Sequence, residues 1–593
     1  MGKKNNKKES TETKVHETQF ELDNDFNQYI REISRNLYNE QNNDDESRIL
    51  LINNFIEAIP DNQFEAVAQH GLGSKVIDSL IGFSSSENFE KFTSNLSSRK
   101  LYTDIKSTFV LECCMRIATI RALANESIKD ESSVDDEPAT KKGKYVKRST
   151  DIEYNLKLDV KPEHIQYCNE LVMRLSKFVL NNIEDLLKSQ GNHFVRTCLL
   201  SLSGIINIKS HDRNAPNQIN LVTDYQKTIN PEWIEIACDF ATRIIQWPQF
   251  ADLAFDEKSS TFLQILCQVL HNIKQQDTLK KLIKAIMKKC FMDEEEEGQE
   301  EASDEKNFEI LKPFTNRSAQ FLLESVIQYC DEKQFLKIYN RYFKDYIVQM
   351  SDTSFNFTVQ RLIDAVKNKE IFEEIFNQLT PQFSNLLQNG KTGVVLAICK
   401  ACDRLSFKQG QFIQSLLRCL ECEKSPNFTI QCITNLMPLK VIEQKTEVDV
   451  HLHGSLILQH ILKFNKPIKI VQNLLDMKPQ HLSDIFCHPK GSRIADAFLE
   501  SKFIGEKSRE KLIKHLEGMY LKMALSRNGS HVLEKLYNIS SDGQKEEIVK
   551  EISERMNQIN SSQSGKIVAY KFNVEMYSRN PNQWRNFLSR SAK

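Results

Sequence analysis

Glycine and proline are scarce in this 593-residue chain, at 18 and 14 residues, so the composition is that of an α-rich protein and not of a turn-dense one. No uncharged apolar stretch approaches the ~18 to 20 residues that a membrane-spanning helix needs, and a soluble protein without a membrane partner is expected. The opening residues, Met1 to Lys8, have no apolar h-region, and Asn6 stands where a myristoylation signal needs Ser or Thr. Fourteen cysteines with no export signal point to a reducing compartment. Excess charge of one sign is also missing, since the net charge is −1. No nucleophile, base and orienting residue emerge together from the spacing, and Gly71-Leu72-Gly73-Ser74-Lys75 lacks the spacing of a phosphate loop. The expectation is a binder with no enzymatic activity and no cofactor.

What the chain does have is a helical phrase that returns ten times. Each copy has a small or amide side chain in a first place, its neighbour in a second, and a further polar side chain in a fifth. Apolar residues stand three, six and seven positions after the first place. The clearest copies carry Ser74, Lys75 and Asp78; Asn192, His193 and Arg196; Asn356, Phe357 and Gln360; Ser455, Leu456 and Gln459; Ser492, Arg493 and Asp496; and Ser530, His531 and Glu534. Weaker copies keep the register at Thr108, Phe109 and Glu112; Ser260, Thr261 and Gln264; Gln320, Phe321 and Glu324; and Thr392, Gly393 and Leu396. The apolar pairs run from Leu80 and Ile81, through Leu362 and Ile363, to Leu536 and Tyr537, which is the 3.6-residue period of an amphipathic helix. First and fifth places share a helix face with the second beside them, so all three can meet one ligand while the apolar positions face the core.

First places recur at 320, 356 and 392, each 36 residues apart, and at 455, 492 and 530, 37 and 38 apart. A frayed eleventh copy starts at Lys566, with Tyr570 in its fifth place. Periods of this size mark two-helix units that cannot bury an apolar face alone and must stack. The expected fold is all-α, a curved superhelical solenoid of about eleven repeats with long insertions. The segments expected are a polar, partly basic tail over 1–20, repeats over 21–126, a charged linker over 127–150, repeats over 151–395 with an acidic loop at 293–306, and C-terminal repeats with a cap over 396–590. The 63-residue step from 392 to 455, with apolar Leu396 in a fifth place, suggests a hinge near 393–455.

The linker passes from acidic, Asp130 to Glu137, to basic, Lys141 to Arg148, and its basic half is a candidate nuclear import signal. Acidic residues concentrate in the two insertions, leaving the repeats more positive than the whole, so the overall balance does not exclude a polyanionic partner. Cys399, Cys402, Cys419 and Cys422 have the spacing of a zinc ribbon. Cys399 is nevertheless a core position of its repeat, and the other three lie in apolar helical runs, so buried thiols are the favoured reading and no metal is expected. His451 and His453 flank Leu452 without a third ligand.

The phrase resembles the pumilio (PUF) repeat, in which first, second and fifth places of one helix face single-stranded RNA, about one base per repeat, with two edge contacts and one stacking contact. That resemblance implies a uracil-type pair in Asn356 and Gln360 with Phe357 stacking, a guanine-type pair in Ser530 and Glu534 with His531 stacking, and an adenine-type pair in Ser455 and Gln459. Asp78 and Asp496 are one carbon short of the family's Glu, Arg196 is a cation in a reading place, and Leu396 cannot hydrogen-bond, so a few specific repeats are expected among several that hold backbone or shape. Gln190 to Gly204, Asn356 to Leu362, Gly390 to Leu396, His488 to Arg493 and the stretch from Gly565 to Trp584 are similar to the nucleolar protein 9 branch of that family. The similarity implies a monomeric nucleolar factor of small-subunit (18S) ribosome biogenesis that binds precursor ribosomal RNA within preribosomal particles, beside ribosome assembly factors. A helical-repeat scaffold for protein partners, and a cytoplasmic pumilio-type regulator of messenger RNA, are the alternatives.

Overall fold

The computed structural model describes residues 22–37, 44–124, 150–207, 217–224, 227–292, 308–444 and 449–591. The expected tail, the linker up to residue 149 and the acidic loop lie outside them. The described chain is helical almost throughout, with one short antiparallel ribbon of Ile205–Asn207 and Gln218–Asn220.

Eleven helices carry the phrase: α1 (Gly73–Leu80), α2 (Ile105–Ala122), α3 (Asn192–Leu202), α4 (Glu257–Asn272), α5 (Arg317–Tyr329), α6 (Asn356–Ala365), α7 (Thr392–Leu405), α8 (Leu452–Ile461), α9 (Ser492–Glu500), α10 (Arg527–Ile539) and α11 (Gln563–Lys571). The better-formed units have three helical segments and not the two expected. Ile347–Asp352 leads into α6, which Lys369–Leu379 follows; Tyr520–Leu525 leads into α10, which Asp542–Ser553 follows. A lead-in helix of six residues makes under two turns, too few to print a period of its own in the sequence.

Two compact units divide the described residues between Tyr329 and Cys330, with Phe308–Leu311 belonging to the second. In the first, α1 packs on α2, α2 on α3, α3 on α4 and α4 on α5; in the second, each helix from α6 to α11 packs on the next. The apolar pairs expected to be core are buried in every repeat except at Tyr537, which is half-buried and stacks on Phe572 with ring centroids 3.9 Å apart. The boundary drawn at 395/396 falls inside α7, and α7 packs directly on α8. Part of the long step is an insertion after Pro426–Asn435, containing the extra helix Leu439–Ile442.

A recurrent glycine just before the first place has a packing cause. A Cβ on Gly73 would stand 2.6 Å from the Val67 carbonyl oxygen, one on Gly491 2.1 Å from that of Ile485, one on Gly529 2.8 Å from that of Met523, and one on Gly565 2.3 Å from that of Ile559. Each oxygen lies six residues upstream, near the end of the lead-in helix, so motif helix and lead-in helix touch backbone to backbone. Before α2 and α4 triplets the same place holds serine. There the hydroxyl donates to that very carbonyl, Ser107 to Leu101 at 2.7 Å and Ser259 to Leu253 at 3.1 Å.

Beyond the linker, the chain is anchored by a buried arginine. Arg121 Nε donates to Asn155 Oδ1 at 2.8 Å and its Nη2 to the Ser84 carbonyl at 2.7 Å, while Asn155 Nδ2 donates to the Gly82 carbonyl at 2.7 Å. Burial lowers the Arg121 pKa to about 10, which still leaves it charged at neutral pH.

Candidate nucleic-acid interface

The three places of the phrase have three different surroundings, repeated from helix to helix. First places are mostly withdrawn: Ser74, Thr108, Asn192, Ser260, Asn356, Ser455 and Ser530 are all buried, whereas Gln320, Thr392 and Ser492 are half-buried. Six of the buried ones commit their donors to backbone. Asn192 Nδ2 and Asn356 Nδ2 each donate at 2.8 Å to the carbonyl three residues back, Ser189 and Thr353. Thr108 and Ser530 do the same to Ile105 and Arg527 at 2.9 Å. Ser260 and Ser455 instead reach across to the next repeat, donating to the Ser318 carbonyl at 2.7 Å and the Lys490 carbonyl at 2.6 Å. The sequence pattern assigns these residues to a face; only the structure shows that the face is shared with backbone acceptors.

Second places are the exposed ones. Lys75, Phe109, His193, Phe321, Phe357, Arg493 and His531 are exposed, and Thr261 and Leu456 are partly so. Phe357 keeps 66% of its surface in solvent, Phe109 45% and Phe321 41%. Aromatic rings left out at one register position are a poor use of apolar surface unless something covers them. The guanidinium of Arg317 lies over the Phe321 ring, 5.3 Å from its centroid. The eleventh copy matches the series only at its second place, Ile567, because Lys566 and Tyr570 in its first and fifth places are exposed as well.

Fifth places are half-exposed and fall into two kinds. In the inward kind the side chain turns back on its own first place. Gln264 Nε2 donates to Ser260 Oγ at 3.1 Å, Gln459 Nε2 to Ser455 Oγ at 3.0 Å, Gln360 Nε2 to Asn356 Oδ1 at 2.9 Å, and Arg196 Nη2 to Asn192 Oδ1 at 3.1 Å. Gln320 Nε2 reaches Glu324 in the same way, at 3.4 Å. Each glutamine of the first three pairs keeps its Oε1 and one N–H for another partner, a donor and acceptor side by side as a base edge requires. Arg196 also meets His193 Nδ1 at 2.6 Å. Burial, then Arg196 and Lys258, hold the His193 pKa below its ordinary value, so its Nδ1 is an acceptor.

In the forward kind the fifth place is acidic and turns to the next motif helix. Asp78 pairs with Arg116 at 3.7 Å, Asp496 with Lys535 at 2.9 Å, and Glu534 with Lys571 at 2.7 Å. Asp496 also accepts from Arg493 at 3.2 Å. The sequence pattern does not single out Lys535 and Lys571, yet a signal was there: both stand one residue after a fifth place, in a repeat that follows an acidic one. Exposed pairs of this kind contribute about 0–1 kcal/mol each, so stability is a weak reason for them.

The seventh repeat departs from the series. Gly393 has no platform to offer, Leu396 is buried, and a Cβ on Gly393 would lie 2.6 Å from Gln360 Oε1, so the gap is taken by the previous repeat's reader. Thr392 Oγ1 shares a hydrogen bond of 2.8 Å with Nδ1 of His453, which lies in the first turn of α8. The four zinc-spaced cysteines do not converge. Cys399 Sγ faces the Ile457 carbonyl at 3.7 Å, Cys419 Sγ accepts from Ser384 at 3.5 Å, and Cys422 lies against Cys432. Among the described residues no group of three or more His, Cys, Asp or Glu is placed to hold a metal, and no helix is long and apolar enough to cross a membrane.

Comparison with known proteins places this arrangement. The family model of the NOP9-like PUF repeat domain matches residues 67–567, from the lead-in helix of α1 into α11. Human nucleolar protein 9 is 23% identical over 582 residues, covering 92% of this chain and 86% of that protein. Mouse nucleolar protein 9 is 26% identical over 307 residues, 48% of this chain and 48% of that one. Pumilio homolog 23 of Arabidopsis thaliana is 24% identical over 355 residues, 56% of this chain and 45% of that one, so the aligned stretch spans about half of either of these two relatives. A solved structure of APUM23 with GGAAUUGACGG has a TM-score of 0.70 at 20% identity and covers 96% of this chain and 100% of that one, a shared fold.

Proposed function

Because this chain belongs to the family of NOP9-like PUF repeat proteins, we propose that it binds single-stranded RNA along its motif helices. The observation that carries the reading is the recurrence of Phe109, Phe321 and Phe357, exposed at one register position beside half-exposed Glu112, Glu324 and Gln360. Unpaired bases stack on such rings at about 1–3 kcal/mol each and need no net positive charge from the protein. The fifth-place side chains then meet the base edge. APUM23, solved with GGAAUUGACGG, supports an RNA ligand for a chain of this fold. The relatives called nucleolar protein 9 support a site of action in the nucleolus. We infer that the RNA met there is precursor ribosomal RNA during small-subunit assembly, among ribosome assembly factors.

Filter binding of single-stranded RNA tests the reading with wild type and the Asn356→Ala/Gln360→Ala pair. Losing one reader pair should weaken binding by about 10- to 100-fold at unchanged fold. No binding by wild type, or equal binding by both, leaves the repeats as a scaffold for protein partners. Crosslinking in cells followed by sequencing of the attached RNA identifies the transcript; absence of precursor ribosomal RNA among the crosslinks removes the nucleolar assignment.

A further inference from the structure

We propose that Glu534 with Lys571, and Asp496 with Lys535, are composite guanine sites, each assembled from two successive motif helices, in which the lysine itself contacts the base and sets its identity. The inference rests on the RNA reading above and adds to it a reader outside the three places.

The Watson–Crick edge of guanine carries the O6 acceptor beside the N1–H and N2–H donors. A carboxylate can accept from both N–H groups, and an ammonium held beside it can donate to O6. Lys571 Nζ stands 2.7 Å from Glu534 Oε2, and Lys535 Nζ 2.9 Å from Asp496 Oδ1, so each pair offers donor and acceptors in the order that edge needs. Adenine would oppose its N6–H donors to the lysine and its N1 lone pair to the carboxylate, two repulsions at once. Uracil would set its O2 against the carboxylate. The lysine therefore adds a discrimination that the carboxylate alone does not have, and it offsets the repulsion between the carboxylate and the RNA phosphates.

Geometry explains why the cation comes from the next repeat. α9 packs on α10 and α10 on α11, and packed helices lie about 8–10 Å apart, a gap that a four-carbon arm spans. Lys535 and Lys571 both leave from the position after the fifth place, and the two repeats that precede them carry Asp496 and Glu534. The corresponding position holds alanine at Ala397 and Ala497, after repeats whose fifth places are Gln360 and Gln459. Lysine stands there only after Asp496 and Glu534; after the acidic fifth places Asp78, Glu112 and Glu324 the position holds Cys113, Thr197 and Arg361, so the composite site is confined to the last two junctions. The side chains remain reachable, with Lys535 45% and Lys571 52% exposed.

Selection from a random single-stranded RNA pool, with full-length protein and sequencing of the bound fraction, tests the idea. Wild type should enrich guanine at two neighbouring positions. Lys571→Met should lower that preference about tenfold at one of them, Glu534→Gln should do so at the same one, and Lys571→Arg should keep it. Lys535→Met should act at the neighbouring base and serves as the second variant if Lys571→Met melts early. Guanine retained by both lysine variants but lost with Glu534→Gln overturns the composite site while leaving RNA binding intact. Uniform weakening across all sequences reduces the lysines to phosphate contacts and overturns it too. A wild type that enriches no RNA fails the underlying reading instead.

Discussion

Repeats three and four in the first compact unit and repeats nine and ten in the second use the same three places in opposite ways. Arg196 and Gln264 close onto Asn192 and Ser260 of their own helix, whereas Asp496 and Glu534 open towards Lys535 and Lys571 of the next. In the first arrangement the fifth-place side chain is held by its own first place. In the second it is held by the next helix, across a junction. A change in an inward repeat should therefore stay local, and a change in a forward repeat should reach its neighbour.

The largest effect is expected at the backbone contact that sets the spacing of the forward repeats. Gly491→Ala would press a methyl group on the Ile485 carbonyl, 2.1 Å away, and should cost about 3 kcal/mol of stability, read as a drop in the denaturation midpoint. Gly543→Ala, in a helix with nothing within 4 Å of the added methyl, should instead stabilise by up to about 1 kcal/mol. Equal losses at the two sites would remove the carbonyl contact as the reason for the glycine. Next in size is Phe357→Ala. With 66% of the ring exposed, the variant should melt as wild type does but lose about 1–3 kcal/mol of RNA affinity, with the change confined to one base. Altered preference at several bases would overturn the stacking of a single base on Phe357.

The smallest effect is a titration in repeat three. The folded pKa of His193 is depressed, first by burial and then by Arg196 and Lys258, so the neutral ring is favoured in the folded chain. Its contribution is complete above the unfolded value near 6.5 and is lost as pH falls through the lower folded value. An imidazole titration followed by NMR should give a midpoint below 6.5, and a midpoint above it would remove the Arg196 contact as a working part of the triplet.

Much of this was legible in the sequence, because burial follows the helical period. The register that names Ser74, Asn356 and Ser530 as first places and Leu362 and Ile363 as core is the register found. Three features were not legible. Lead-in helices such as Ile347–Asp352 are too short to show a period. The division between Tyr329 and Cys330 leaves no mark in composition, whereas the long step after Thr392 contains the extra helix Leu439–Ile442. The direction taken by a fifth-place side chain depends on the partners within its reach, so Gln264 turns to Ser260 of its own helix and Glu534 to Lys571 of the next. Face can be read from spacing; rotamer and cross-helix reach cannot.

The seam before α1, α2, α4, α9, α10 and α11 has a genealogical side. Its two halves, a glycine or serine and a carbonyl six residues upstream, travel together whenever such a stretch of chain is duplicated, so a copied block of this kind arrives able to dock its own lead-in helix. The lysine ladder has no such portability: copying or excising one block strands either an acid without its cation or a cation without its acid. Architecture of this kind can be inherited one block at a time, and the acid–lysine pairing at the C-terminal end only two blocks at a time.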